Sequence, residues 1–86
     1  MDRYSVTFAR SARKELESLP SHIIDRILGE VEKLASLPFP SGCKKLKGTK
    51  NLWRIRVGDY RVIHFVFTRE LVIDVVRIRH RKEAYN

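Results

Sequence analysis

The stretch Leu52-Trp53-Arg54-Ile55-Arg56-Val57-Gly58-Asp59-Tyr60-Arg61-Val62-Ile63-His64-Phe65-Val66-Phe67 decides the fold. Leu52 to Val57 alternates, with Trp53, Ile55 and Val57 on one side and Arg54 and Arg56 on the other, the pattern of a half-buried strand. Gly58-Asp59 is a two-residue hairpin signal, glycine first, as a type II′ turn prefers. Tyr60 to Phe67 is an almost continuous apolar run, expected to be a central strand buried on both faces. Indexing the hairpin on that turn pairs Val57 with Tyr60, Arg56 with Arg61, Ile55 with Val62 and Arg54 with Ile63. Arg54, Arg56 and Arg61 then share one face.

Working outward, Thr68-Arg69-Glu70 reads as a tight connection to a last strand, Leu71 to Ile78. A three-residue loop there pairs Phe67 with Leu71 and sets Arg77 opposite Arg61, giving four arginines on one patch. Like charges directly opposite on a sheet destabilise it, and a bound anion offsets the repulsion. Guanidinium is the group best shaped to grip phosphate through two bonds. The competing reading is that the strands curl and the arginines fan into water.

The first half supplies a scaffold. Tyr4, Val6 and Phe8 alternate with Arg3, Ser5 and Thr7 as a strand. Ala12, Leu16 and Leu19 then recur at helical spacing, and Pro20 separates that helix from a second. Ile24, Ile27, Leu28, Val31, Leu34 and Ala35 form the second helix's apolar stripe, which stops at Pro38-Phe39-Pro40-Ser41-Gly42. Lys44 to Lys47 is short, basic and extended. The expected fold is α+β: an N-terminal strand, a two-helix hairpin and an antiparallel three-stranded meander, with the helices on one face of an antiparallel sheet.

Eighty-six residues bound the chain to a single domain, 1–86. Lys and Arg number 18 against 10 Asp and Glu, a net charge of +8. Residues 1–42 balance to zero, so the whole excess lies in residues 43–86. A neutral scaffold with one basic face attracts polyanions, nucleic acid above all, although solvated basic residues explain the charge as well. No apolar run approaches the ~20 residues of a membrane span, and the start, Met1-Asp2-Arg3-Tyr4, lacks a signal peptide's apolar segment. Cys43 is the only cysteine, which excludes an intrachain disulfide and a cysteine zinc site. A cytoplasmic, soluble protein without metal or other cofactor is the expectation.

Other polar residues divide by context. His22, near a helix start, is expected to be exposed, and His64, inside the apolar strand, to be a hydrogen-bonded core histidine. His80 lies in Arg77-Ile78-Arg79-His80-Arg81-Lys82, just past the last strand, where either a proton-transfer role or an ordinary tail position suits it. Trp53 and Tyr60 read as core. Tyr85, in the polar tail, is a candidate to stack on a base or donate a proton. Lys47-Gly48-Thr49 lacks the upstream glycine spacing of a phosphate loop.

Tyr4-x-Val6-x-Phe8, Ala12-x-x-x-Leu16-x-x-Leu19-Pro20, Lys44-Lys45-Leu46-Lys47-Gly48, the Trp53–Ile63 block, His80-Arg81-Lys82 and Tyr85 together resemble the RelE/ParE superfamily of toxins from type II toxin–antitoxin pairs. The resemblance covers essentially the whole chain, and the Trp53–Ile63 block is its most specific part. It implies an mRNA endoribonuclease that enters the ribosomal A site, works without a metal and inhibits translation. The 2′-hydroxyl attacks the adjacent phosphate, leaving a 2′,3′-cyclic phosphate and a 5′-hydroxyl. It also implies a cognate antitoxin in a hetero-oligomeric complex and no membrane. The resemblance matches Arg54, Arg56, Arg61, Arg81 and Tyr85 to the family's cleft. Together with His80, read from its place beside Arg81, the expected catalytic residues are Arg61, Arg81, His80, Tyr85 and Arg54, and Arg56, Arg77, Lys45 and Lys47 are expected to hold RNA. Members of the family often carry lysine where this chain has Arg54 and Arg56. Arginine does not give up its proton, so Arg54 is a poor general base and proton transfer passes to His80 or Tyr85. The alternatives are a ParE-like toxin that binds DNA gyrase without cutting, and a plain basic RNA-binding module.

Overall fold

Turn chemistry and apolar spacing translate into seven elements. The computed structural model describes residues 3–82, with β1 at Ser5–Phe8, α1 at Arg10–Glu17, α2 at Ser21–Leu34, β2 at Lys44–Lys45, β3 at Leu52–Val57, β4 at Tyr60–Phe67 and β5 at Val72–His80. Pro20 sits extended between the helices, φ −59° and ψ 148°, and its carbonyl accepts the Ile23 and Ile24 amides at 3.0 Å each. It caps α2 while lacking the N–H that would otherwise go unmet there. The Ser18 hydroxyl donates to the Glu15 carbonyl at 2.7 Å, where α1 ends.

The five strands form one sheet in the order β1-β5-β4-β3-β2. The β3–β4 hairpin has the register expected from its turn, from Val57 opposite Tyr60 to Arg54 opposite Ile63. Gly58 has φ +59°, and Asp59 is not among the residues with positive φ, which is the type II′ pattern.

Three expectations about the sheet need correction. The sheet is not wholly antiparallel: β1 runs parallel to β5, from Ser5 opposite Val72 to Phe8 opposite Val75. No hairpin joins these strands, and a long connection carrying two helices leaves either direction open. The β4–β5 register also differs. Phe67 pairs with Val72, not Leu71, because Leu71 takes a positive φ of 57° and joins the loop. The register then shifts between Ile63 and His64, so that Arg61 faces Arg79 while Arg77 faces Ile63. The extra residue is Val76, which moves the buried phase from Ile73 and Val75 to Ile78; with Val75 and Val76 both apolar, the sequence does not mark where the phase changes. Finally, the apolar residues of β4 are fully buried on one face only, although Arg61 on the other face is also buried. Val62, His64 and Val66 are buried, whereas Ile63, Phe65 and Phe67 are half-buried on the other face, where the Phe65 and Phe67 rings stack at 5.3 Å.

The core lies between the helices and the sheet. Ala12 and Leu16 of α1 and Ile27, Val31 and Leu34 of α2 meet Ile55, Val57, Val62, Val66, Ile73, Val75 and Ile78. Leu28, expected in the α2 stripe, is 40% exposed, because the buried line runs through Ile27, Val31 and Leu34 at i, i+4 and i+7. Trp53 and Cys43 are half-buried against this core, and the Trp53 ring meets Phe39 at 4.8 Å. No helix among the described residues is long and apolar enough to cross a membrane.

Candidate functional site

The tight turn at Gly58-Asp59 brings Arg56 and Arg61 directly opposite each other at the end of the β3–β4 hairpin. A third cation arrives from β5. Tyr60 pairs with His80, and the Arg81 N–H donates to the Asp59 carbonyl at 2.7 Å, extending the ladder past the strand end. Alternation therefore sends the Arg81 side chain to the same side as Arg61. Arg56, Gly58, Asp59, Arg61, Arg81 and Lys82 line one cleft of about 230 Å³. Arg61 forms its floor at 5% exposure, while Arg81 is exposed, its Nε 4.0 Å from Asp59 Oδ1. From α2, Arg26 lies against the turn, so a methyl on Gly58 would sit 3.1 Å from its Nη1.

Buried guanidinium carries its charge in a medium of reduced screening, with a second arginine across the hairpin. Such a cleft attracts a dianionic or polyanionic group and holds it with forked donors. Exposed Arg81 and Lys82 flank the floor with further donors.

The remaining site candidates sit elsewhere. Arg54 is half-buried on the arginine face between Lys44 and Ile63, and Arg77 is exposed opposite Ile63; neither lines the cleft. Lys45 and Lys47 line a separate open surface with Lys50, around the β2–β3 loop. His80 turns to the helix side of β5, where its ring meets Tyr60 edge-on at 5.2 Å and shares a second cleft with Glu15, Ser18, Leu19 and Arg79. Its Nδ1 accepts the Lys82 N–H at 3.3 Å, which leaves the ring proton of the neutral form on Nε2. Tyr85 lies outside the described residues. His22 is exposed, as expected.

His64 is fully buried, also as expected, and its Nδ1 lies 3.2 Å from the Val62 carbonyl. The carbonyl can only accept, so Nδ1 carries the proton. Nε2 is buried without a hydrogen-bond partner. Desolvation by burial, partly opposed by the Val62 bond, lowers the His64 pKa from 6.5.

Sequence reasoning missed Lys82, Asp59, Arg26 and Glu15. Lys82 and Asp59 adjoin residues already singled out, so the run Arg79–Lys82 and the turn itself carried the signal. Arg26 and Glu15 come from the charge-neutral helical half, and only the packing of α1 and α2 brings them to the sheet's end.

Comparison with known proteins fits this geometry. The family described as "ParE toxin of type II toxin–antitoxin system, parDE" matches residues 6–85. The chain belongs to the RelE/ParE family of type II toxins. This RelE/ParE chain is 36% identical over 85 residues to Toxin RelE3 of Methanocaldococcus jannaschii, covering 94% of each. Its fold matches the toxin-fold chain in the crystal structure of the archaeal RelE–RelB complex from Pyrococcus horikoshii OT3, with TM-score 0.82, 35% identity, and 94% and 97% of the two chains covered. The RelB–RelE antitoxin–toxin complex of Methanococcus jannaschii matches with TM-score 0.75 and 33% identity over 93% of this chain and 95% of that one. The α+β arrangement of two helices on a five-stranded sheet is the one these RelE toxins share.

Proposed function

We propose that this toxin is a ribosome-dependent mRNA endoribonuclease that works without a metal ion and blocks translation. The observation that carries the reading is the convergence of Arg56, Arg61 and Arg81 on one cleft. In this reading the scissile phosphate lies over Arg61, with the mRNA backbone running along Arg56 and Arg81. The 2′-hydroxyl oxygen attacks the adjacent phosphorus while its proton passes to a base. The P–O5′ bond breaks, the 5′ oxygen takes up a proton, and a 2′,3′-cyclic phosphate remains. Charge on the pentavalent phosphorane grows through this step, so cations already in place stabilise the transition state more than the ground state. Arg61 and Arg81 supply that charge, Arg56 grips a neighbouring phosphate, and Arg54, Arg77, Lys45 and Lys47 extend the basic track.

Proton transfer falls to His80 or Tyr85, because arginine holds its proton too tightly. His80 opens on the second cleft, on the other side of β5 from Arg81, so the substrate strand must cross the end of β5 to meet both. The relatives crystallised with RelB support a cognate antitoxin as the resting partner. Cytoplasmic location goes with a ribosomal target.

The family description names ParE, which favours a second reading in which the basic cleft docks on DNA gyrase without cutting. Inducing the chain while following pulse incorporation of amino acid and thymidine separates the two: a nuclease halts protein synthesis first, a gyrase inhibitor halts replication first.

A further inference from the structure

Arg61 has an arginine opposite it on each side, Arg56 on β3 and Arg79 on β5. Alternation places Arg79 on the same face as Arg61, yet Arg79 does not line the cleft with Arg56, Arg61 and Arg81. It lines the neighbouring one, where its Nη1 lies 3.2 Å from Glu15 Oε2. The Glu15 side chain is only 22% exposed, and its other oxygen, Oε1, accepts the Ile78 N–H at 3.0 Å. That amide lies beyond the last β1 pair, Phe8 opposite Val75, so β1 does not reach it. Glu15 therefore does two things: it closes the open edge of β5, and it draws Arg79 around that edge toward α1. Its own backbone is fixed, since Ala12 and Leu16 on the same helix are buried in the core.

We propose that Glu15 is a positioning residue that holds Arg79 off the phosphate-binding cleft and so limits how many phosphates the cleft grips. The proposal rests on the reading that this cleft binds RNA. A fourth arginine beside Arg61 would add binding energy that is equal for every phosphate. Uniform binding of that kind tightens the complex without lowering the barrier to cleavage. Releasing Arg79 would turn a selective cleft into a stickier one.

The test uses an all-2′-deoxy single-stranded oligonucleotide, which cannot undergo 2′-hydroxyl attack, titrated across a range of salt concentrations. Glu15→Gln keeps an oxygen for the Ile78 N–H and removes the charge that holds Arg79. It should bind several-fold more tightly than the wild type, with a log–log salt slope steeper by about 0.7, the value for one further contact to a single strand. Arg79→Ala should bind like the wild type, and Arg79→Ala in the Glu15→Gln background should return the affinity and slope to wild-type values. A role confined to capping β5 would move neither the slope nor its dependence on Arg79. If Glu15→Gln unfolds, Glu15→Asp withdraws the carboxylate by one methylene and carries the same expectation. Unchanged binding in the folded variant, or tightening that survives loss of Arg79, overturns the proposal while leaving the RNA reading intact. Failure of the wild type to bind the oligonucleotide at all also overturns the proposal, while the RNA reading stands or falls with the reaction on programmed ribosomes.

Discussion

The Arg81 N–H donates to the Asp59 carbonyl at 2.7 Å, and this one bond fixes a residue past the end of β5 to the turn that carries Arg56 and Arg61. The cleft thus depends on the hairpin turn as much as on its arginines. A disturbance of the turn would move all three cations at once.

Gly58 is where that dependence can be tested. Its φ is +59°, and a Cβ there would press on Arg26 at 3.1 Å. Gly58→Ala should destabilise the fold by more than about 1 kcal/mol, since alanine does not share glycine's freedom at positive φ. Urea denaturation measures the loss. Unchanged stability would mean that the turn has another geometry.

Arg81→Ala removes an exposed side chain, so the fold should be untouched by circular dichroism. Loss of one charge-assisted contact to the reacting phosphate should slow cleavage by about 10²–10³-fold. Arg61→Ala should lose as much or more, because Arg61 forms the buried floor. Growth arrest on induction gives the first readout, and full toxicity in both folded variants would remove these residues from the site.

His80→Gln keeps size and hydrogen bonding but cannot relay a proton. A role in proton transfer predicts a loss of about 10²–10⁴-fold in single-turnover cleavage on programmed ribosomes, with binding nearly unchanged. Cleavage at the wild-type rate would shift the role to Tyr85, or show that charge stabilisation suffices.

His64 sets a pH dependence of stability. Protonation would place an N–H at buried Nε2 with no acceptor, and its folded-state pKa is lowered below 6.5. The unfolded chain therefore binds the proton more readily than the folded one. Stability is fully present above about pH 6.5 and falls as the pH drops toward the folded-state pKa. The urea midpoint should hold above about pH 6.5 and decline as the pH falls below it in the wild type, and His64→Gln should flatten that part of the curve. An equally steep decline in the variant would assign the effect to other groups.

An antitoxin partner predicts that co-expression with a neighbouring small gene yields a stable complex and relieves growth arrest. Growth unaffected by the chain alone would count against the toxin reading itself.

Much of this architecture was legible because local chemistry writes it. Gly58-Asp59 fixed the β3–β4 register, and with it the Arg56–Arg61 pair, without any knowledge of the rest of the chain. Pro20 and the Pro38–Gly42 loop marked the helix limits for similar local reasons. What failed was non-local or small. The bulge opposite Ile63 and the left-handed Leu71 together exchanged Arg79 for Arg77 opposite Arg61; adjacent apolar Val75 and Val76 hide where the phase shifts, and Leu71 looks like an ordinary strand residue. The parallel β1–β5 pair and the Glu15–Arg79 contact join segments from opposite ends of the sequence. Only tertiary packing brings those segments together.

The most direct test of the central claim is a single-turnover reaction of the purified toxin with ribosomes programmed with a defined mRNA. The expected result is cleavage within the A-site codon in the presence of a metal chelator, with a 2′,3′-cyclic phosphate on the upstream fragment and a free 5′-hydroxyl on the downstream one, slowed about 10²–10³-fold in Arg81→Ala. Intact mRNA under wild-type toxin, with cells arrested in replication while translation continues, would contradict it.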